Sequence, residues 1–194
     1  MAIITSTTLD YFEKIAAKPE KKRRRHSYYW NEIINYCNYF SHDDYSVLEV
    51  GCGTGELINA LKGKRKVGID FSEGMIEIAK KKFLQPEFKV MAAEEISLNE
   101  KFDVVILSNL IGYLDDIQQV FQALHKVCHS ETKIIVTYYN YLWEPFLKLG
   151  EKIGLKTPTP VQNWLTLSDI NNLLYVAGFD VYRNAKRMIF PFYI

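Results

Sequence analysis

The run Ser46-Val47-Leu48-Glu49-Val50-Gly51-Cys52-Gly53-Thr54-Gly55-Glu56-Leu57 restricts this chain more than any other stretch. An apolar, β-rich segment ends in three alternating glycines, and helix-compatible residues follow at once. That order describes a strand, a tight turn and a helix start. Glycines let the backbone turn sharply and let a ligand lie against bare main chain, where a Cβ would collide. The helix start is expected to offer unpaired N–H groups to a negatively charged ligand group. Val67-Gly68-Ile69-Asp70 reads as the next strand, ending in a carboxylate placed to accept hydrogen bonds from a ribose. The pattern points to a nucleoside-type cofactor.

Dinucleotide sites favour G-x-G-x-x-G, whereas Gly51 to Gly55 read G-x-G-x-G, with Glu49 two residues before the first glycine. Val47 to Gly55, taken with Asp70 and the later strands, resembles the first motifs of class I S-adenosylmethionine-dependent methyltransferases, and the resemblance runs from about Tyr28 to the end. It implies that Glu49 faces the cofactor's methionine amine. The turn of Gly51, Cys52, Gly53 and Gly55 would pack on the methionyl part, and Asp70 would hold the ribose hydroxyls. It also implies apolar packing of Phe71 and Met75 on the adenine, and a tyrosine (Tyr29, or its neighbour Tyr28) near the methionyl carboxylate. The cofactor would be S-adenosylmethionine and its product S-adenosylhomocysteine. A cationic amine favours a nearby carboxylate, and this cofactor brings no phosphate. The implied fold is α/β: a Rossmann-like, doubly wound, mostly parallel seven-stranded sheet with a C-terminal antiparallel hairpin.

At 194 residues the chain fits one domain, expected as an N-terminal helical cap over 1–45 and a Rossmann-like core over 46–194. With 24 Lys and Arg against 23 Asp and Glu, net charge is +1, so bulk charge selects no partner and gives no strong nucleic-acid signal. Three dispersed cysteines (Cys37, Cys52, Cys128) form neither a disulfide framework nor a metal cluster and suit a reducing compartment. Neither a signal peptide nor a transmembrane run is legible, so the cytoplasm is the expected location.

Residues 1–27 are largely polar and hold Tyr11-Phe12, and Lys21-Lys22-Arg23-Arg24-Arg25-His26 is a basic run. It reads as a solvated helix face or as an electrostatic footprint for nucleic acid or acidic lipid; Arg25 alone would also suit a carboxylate. In 28–40, Tyr29, Ile33, Tyr36, Cys37 and Phe40 fall at helical spacing. Ser72 reads as the N-cap of a helix over 74–83. Residues 87–91 read as a third strand.

In Met91-Ala92-Ala93-Glu94, Ala92 stands where the resembled family usually places an Asp that accepts from the adenine amino group. Either main chain around Ala93 and Glu94 takes over, or adenine is held less specifically. Residues 102–108 form a near-continuous apolar run, as for a strand buried on both faces. The loop opened by Ser108 follows at its carboxyl end, which in doubly wound sheets borders the ligand crevice. The Asn-Pro-Pro-Tyr signature of amino methyltransferases is absent, and the loop more resembles small-molecule enzymes. Tyr113 is therefore a substrate- or methyl-facing candidate, and Ser108 is grouped with the cofactor contacts.

Asp115 or Asp116 is expected to cap the next helix, with His125 and His129 near its last carbonyls. A strand over 132–139 leads into Tyr138-Tyr139-Asn140-Tyr141-Leu142-Trp143, an aromatic and amide cluster suited to a pocket. Residues 156–164 read as a lid or substrate wall, Ser168 as the N-cap of a helix over 169–177, and 180–184 with 187–192 as the edge hairpin. The apolar end at Phe190-Pro191-Phe192-Tyr193-Ile194 suggests a missing C-terminal domain or a partner contact. Residues 138–144 and 163–190 resemble bacterial methyltransferase domains sometimes fused to a glycosyltransferase. That likeness would point to a sugar, lipid-linked sugar or secondary metabolite as acceptor.

The expected activity is methyl transfer to an O or N atom of a small molecule. Tyr113, Tyr139 and His26 are candidate bases, Asn140 a candidate acceptor-orienting residue, and no metal is expected. A non-catalytic cofactor- or partner-binding module is the alternative that Ala92 favours. An RNA methyltransferase would instead use residues 21–26. A nicotinamide oxidoreductase is disfavoured by the glycine spacing and by the lack of room for a separate substrate domain.

Overall fold

The computed structural model describes residues 6–17, 27–138 and 163–186. Helices α1 (Ser6–Ala16) and α2 (Ser27–Phe40) precede β1 (Ser46–Val50). Then come α3 (Glu56–Ala60), β2 (Arg65–Asp70), α4 (Glu73–Lys82), β3 (Glu87–Val90) and β4 (Phe102–Ser108). The series ends with α5 (Ile117–Leu124), β5 (Cys128–Thr137) and α6 (Leu167–Val176). Short 3-10 turns occupy Ala93–Glu95 and Ile111–Tyr113.

The strands run parallel in the order β3-β2-β1-β4-β5. The chain builds outward from β1 to β3, then returns to lay β4 on the other side of β1. In doubly wound sheets the ligand crevice lies above the carboxyl ends at such a reversal. The register aligns its floor: Val50 pairs with Ile69 and with Leu107, so Gly51, Asp70 and Ser108 leave the sheet at one level.

Alternation along the strands sorts two cores. Leu48 and Val50 join Val67, Ile69, Val105 and Leu107 under α5 and α6, which contribute Phe121, Leu124, Ile170 and Leu174. Val47 joins Val104 and Ile106 under α2, α3 and α4, which contribute Ile33, Cys37, Ile58 and Ile76. Glu49 shares the parity of Val47, so it points towards the second layer, beneath α3.

The end signals decide most helix limits. Ser72 Oγ accepts from Met75 N at 3.1 Å, and Asp116 Oδ1 from Gln119 N at 2.9 Å. The expected Ser168 cap is corrected to Thr166. Thr166 Oγ1 accepts from Asp169 N while Asp169 Oδ2 accepts from Thr166 N, a reciprocal box that starts α6 at Leu167. Gly178, at φ +85°, ends α6, and Phe179 N bonds back to Leu174 O at 2.9 Å. His125 closes α5 with its backbone N–H, but its side chain serves another helix: Nε2 meets Ala177 O at 2.7 Å and the ring stacks on Phe179.

The expected seven-stranded sheet with a hairpin is also corrected: the described residues form five parallel strands. Residues 180–184 stay irregular and exposed, because no described strand offers them a ladder. The partner segment at 187–192 lies outside the described residues. Strand β5 begins earlier than expected, at Cys128, through a register shift between Phe102 and Val104. Among the described residues no helix is long and apolar enough to cross a membrane.

Candidate active site

Three left-handed glycines shape the turn after β1, at φ +75°, +51° and +81° for Gly51, Gly53 and Gly55. Gly51 N and Cys52 N both donate to Ile69 O, at 2.8 and 2.9 Å, which fastens the turn to β2. A Cβ on Gly51 would sit 2.7 Å from Leu110 Cδ1, and one on Gly55 2.7 Å from Phe88 Cζ. Those two glycines admit neighbours. A Cβ on Gly53 would meet nothing within 4 Å, so here bare main chain faces open space.

The start of α3 does not offer all its N–H groups outward. Glu49 Oε2 accepts from Ile58 N at 2.9 Å, so a carboxylate from β1 caps the helix from below. Asp70 also ties main chain together. Its Oδ2 accepts from Gly53 N at 2.8 Å and its Oδ1 from Ser72 N at 2.9 Å. Both acids are buried. Burial pushes the Glu49 carboxyl well up, opposed by the Ile58 N–H and reinforced by the charges of Asp70 and Glu56. Burial likewise raises Asp70, opposed by the Ser72 and Gly53 N–H groups and reinforced by Glu13. Among the described residues neither forms an ion pair. A cationic ligand would offset the burial that raises these two carboxyl groups, whereas a pyrophosphate would add like charge beside them. The residues therefore fit an adenosyl sulfonium bearing an amine better than a dinucleotide.

The crevice walls come from distant parts of the chain. Helix α1 lies over the carboxyl end of β2, where Phe12 meets Phe71 edge-on at 5.7 Å and Tyr113 at 5.1 Å. Glu13 Oε1 accepts from Ser72 Oγ at 2.7 Å and from Gly74 N at 3.3 Å. On the β4 side, Ser108 Oγ pairs with Thr137 Oγ1 at 3.0 Å, and Asn109 adopts φ +54°. Tyr29 donates its hydroxyl to Asn109 Oδ1 at 2.8 Å. Asn163 fastens the returning chain, its N donating to Gly112 O at 2.9 Å and its Nδ2 to Leu114 O at 2.6 Å.

The expected site residues Glu49, Gly51, Cys52, Gly53, Gly55, Asp70, Phe71 and Ser108 thus lie at the carboxyl ends of β1, β2 and β4, with Tyr29 bonded to Asn109 and Tyr113 against Phe12. Met75 is buried in the first turn of α4. Ala93 and Glu94 are buried in the 3-10 turn after β3. Burial raises the Glu94 carboxyl, opposed by its own backbone N–H and reinforced by the charges of Asp115, Asp116 and Glu95. His26, Tyr139, Asn140 and the aromatic cluster through Trp143 lie outside the described residues, as does most of the lid expected at 156–164. Phe12 and Glu13 were not legible as site residues, whereas Asn109 and Asn163 fall in segments expected to border the site (the loop after Ser108 and the 156–164 wall) without a role of their own. Asn directly after a central strand is the one usable signal among them, since Asn tolerates the left-handed region.

The sequence profile of the methyltransferase domain family matches residues 10–184. The chain belongs to that family. This methyltransferase domain is 24% identical over 157 residues to the malonyl-[acyl-carrier protein] O-methyltransferase of Priestia megaterium, covering 74% of this chain and 57% of the relative. It is 27% identical over 106 residues to the ubiquinone biosynthesis O-methyltransferase of Bradyrhizobium diazoefficiens, covering 52% of this chain and 42% of the relative. The chain spans about half the length of the curated relatives it matches. Its fold matches a crystal structure from Thermotoga maritima described as an S-adenosylmethionine-dependent methyltransferase and possible histamine N-methyltransferase. That match has a TM-score of 0.72 at 22% identity, covering 90% of this chain and 82% of the other. The methyltransferase domain thus has the class I, Rossmann-like fold with a mostly parallel sheet.

Proposed function

We propose that this methyltransferase transfers a methyl group from S-adenosylmethionine to an oxygen of a small-molecule or carrier-bound acceptor. The observation that carries the donor half is the bare main chain at Gly53, flanked by the buried carboxylates of Glu49 and Asp70. The oxygen half draws support from the O-methyl transfer named for the two curated relatives.

In this reading the chain's residues bind and align. The turn of Gly51, Cys52, Gly53 and Gly55 lies under the methionyl part. Glu49 answers the amine with its charge, Asp70 accepts from the ribose hydroxyls with its remaining lone pairs, and Phe71, Met75, Ala93 and Glu94 border the adenine. Ser108 and Tyr29 close the methionyl end. When bound, the sulfonium supplies an electrophilic methyl carbon and leaves as the neutral thioether S-adenosylhomocysteine. Because that carbon is already activated, the protein's main task is alignment of the acceptor oxygen in line with it. A carboxylate acceptor arrives deprotonated and needs no base; a hydroxyl needs one, for which Tyr113, Tyr139 and His26 are the candidates, with Asn140 orienting the acceptor. The whole of 1–194 is read as one methyltransferase unit.

The test is turnover of methyl-labelled S-adenosylmethionine against malonyl thioesters, phenols and catechols, with amines and RNA as rival acceptors. Alkali-labile methyl ester or methyl ether products are expected. Label appearing only in amines or RNA would overturn the oxygen assignment. Cofactor binding without any product would point to the non-catalytic alternative.

A further inference from the structure

Asn109 combines three properties that main-chain packing alone does not require of it. It is the described non-glycine residue with a left-handed backbone, at φ +54°, a conformation uncommon outside glycine that Asn tolerates. It follows Ser108 at the carboxyl end of β4, directly across from the glycine turn, and its neighbour Leu110 closes onto Gly51. Its N–H is already spent on Thr137 O at 3.0 Å, so the backbone there is pinned.

The side chain is then oriented by a residue far away in sequence. Tyr29 of α2 donates to Asn109 Oδ1 at 2.8 Å. A primary amide whose oxygen is held presents its nitrogen on the other branch. Among the described residues no acceptor takes the two Nδ2 hydrogens. The group left for a ligand is consequently a donor. A donor there matches an oxygen lone pair and mismatches a protonated amine.

We propose that the Asn109 amide donates a hydrogen bond to a carboxylate or carbonyl oxygen of a molecule bound in the crevice, with Tyr29 as the positioning residue that fixes the amide. The inference rests on reading this crevice as the methyl-transfer site. Two molecules carry such an oxygen: the donor, through its methionyl carboxylate, and the acceptor.

The experiment separates them by calorimetry on the full chain. S-Adenosylhomocysteine carries the carboxylate, 5′-methylthioadenosine lacks it, and malonate added to the S-adenosylhomocysteine-loaded protein stands in for an acceptor carboxylate. N109G keeps the left-handed backbone without the amide, and Y29F keeps the ring without the hydroxyl. N109G is expected to weaken one carboxylate arm about tenfold or more, as for a lost bond to a charged group. Methylthioadenosine binding should be unchanged, which also verifies the fold. Y29F should weaken the same arm by less, and the Y29F/N109G double variant should be no weaker than N109G. Loss in the S-adenosylhomocysteine arm assigns the oxygen to the donor; loss in the malonate arm assigns it to the acceptor. Carboxylate binding that does not depend on Asn109 in either arm, equal loss with methylthioadenosine, or additive effects in the double variant would overturn the proposal. Failure of the oxygen-acceptor reading is separate, because it appears in the turnover products and leaves the S-adenosylhomocysteine arm intact.

Discussion

Asp70 at the end of β2 accepts the backbone N–H of Gly53 at 2.8 Å, so the acid proposed for the ribose also holds the glycine turn in shape. Its other oxygen accepts from Ser72 N at 2.9 Å, at the cap of α4. The carboxylate thus links turn, strand end and helix start before any ligand arrives. Asp70→Asn can supply only one acceptor oxygen and must turn its NH₂ towards the other N–H. The expected cost is about 1–3 kcal/mol of stability, the penalty of an unsatisfied buried group. Denaturant unfolding measures it. Cofactor affinity should fall as well, and a variant as stable as the parent would refute the structural role.

The glycines of the turn should separate folding from binding. Gly53→Ala adds a methyl that meets no protein atom, so its cost is the left-handed backbone alone, about 1–2 kcal/mol. Gly55→Ala pays that strain and also drives a Cβ to 2.7 Å from Phe88 Cζ and 3.2 Å from Ala79 Cβ. Thermal unfolding should therefore rank Gly55→Ala as the less stable. S-Adenosylhomocysteine titration should show the larger affinity loss per unit of lost stability for Gly53→Ala, because its methyl occupies the ligand's space. The reverse ranking would mean that the ligand does not lie on Gly53.

Among the residues that hold helix α1 in place are one acid and one ring. Glu13→Ala removes the acceptor of Ser72 Oγ and Gly74 N, at a cost of about 1 kcal/mol. Phe12→Ala removes the edge contacts to Phe71 and Tyr113, about 0.5–1.5 kcal/mol for each aromatic pair. Both changes should speed amide hydrogen exchange in residues 6–16 while leaving β1 and β4 protected. Dissociation of S-adenosylhomocysteine should be faster in both. Unchanged exchange in α1 would show that other contacts hold it.

What could be read beforehand was local. The apolar run of β4, the Ser72 cap, the glycine turn and Asp70 each carry their signal within a few residues. Contacts that close the crevice join residues far apart: Glu13 reaches Ser72 across 59 positions and Tyr29 reaches Asn109 across 80. No periodicity encodes such pairs, so Tyr29 was legible as a wall residue but its partner was not. Two end signals also competed before α6. Ser168 and Thr166 are both competent caps, and Asp169, three residues after Thr166, completes the box that settles it. Residues 180–184 alternate like a strand, but alternation does not provide a neighbouring strand to pair with.

The burial of Glu49 sets a pH dependence with a definite sign. Desolvation, partly offset by the Ile58 N–H, raises its carboxyl well above the ordinary value of 4.5 in the folded protein. Below about pH 4 the group is protonated in both folded and unfolded chains, so it neither adds nor removes stability relative to a neutral residue. As pH rises towards the elevated folded value, the unfolded chain releases its proton first, and the native state loses stability. Glu49→Gln keeps the shape and still offers an oxygen to Ile58 N–H, with no charge to bury. Without ligand, the variant should therefore match the parent near pH 4 and exceed it at pH 8, by roughly 1.4 kcal/mol for each unit by which the folded value is raised. With S-adenosylmethionine the order should reverse, because a cationic amine compensates the parent's carboxylate and finds only an amide in the variant. Thermal unfolding from pH 4 to pH 8, with and without S-adenosylmethionine, reads both halves. A ligand-free variant less stable than the parent at pH 8 would show that the carboxylate is already compensated within the protein.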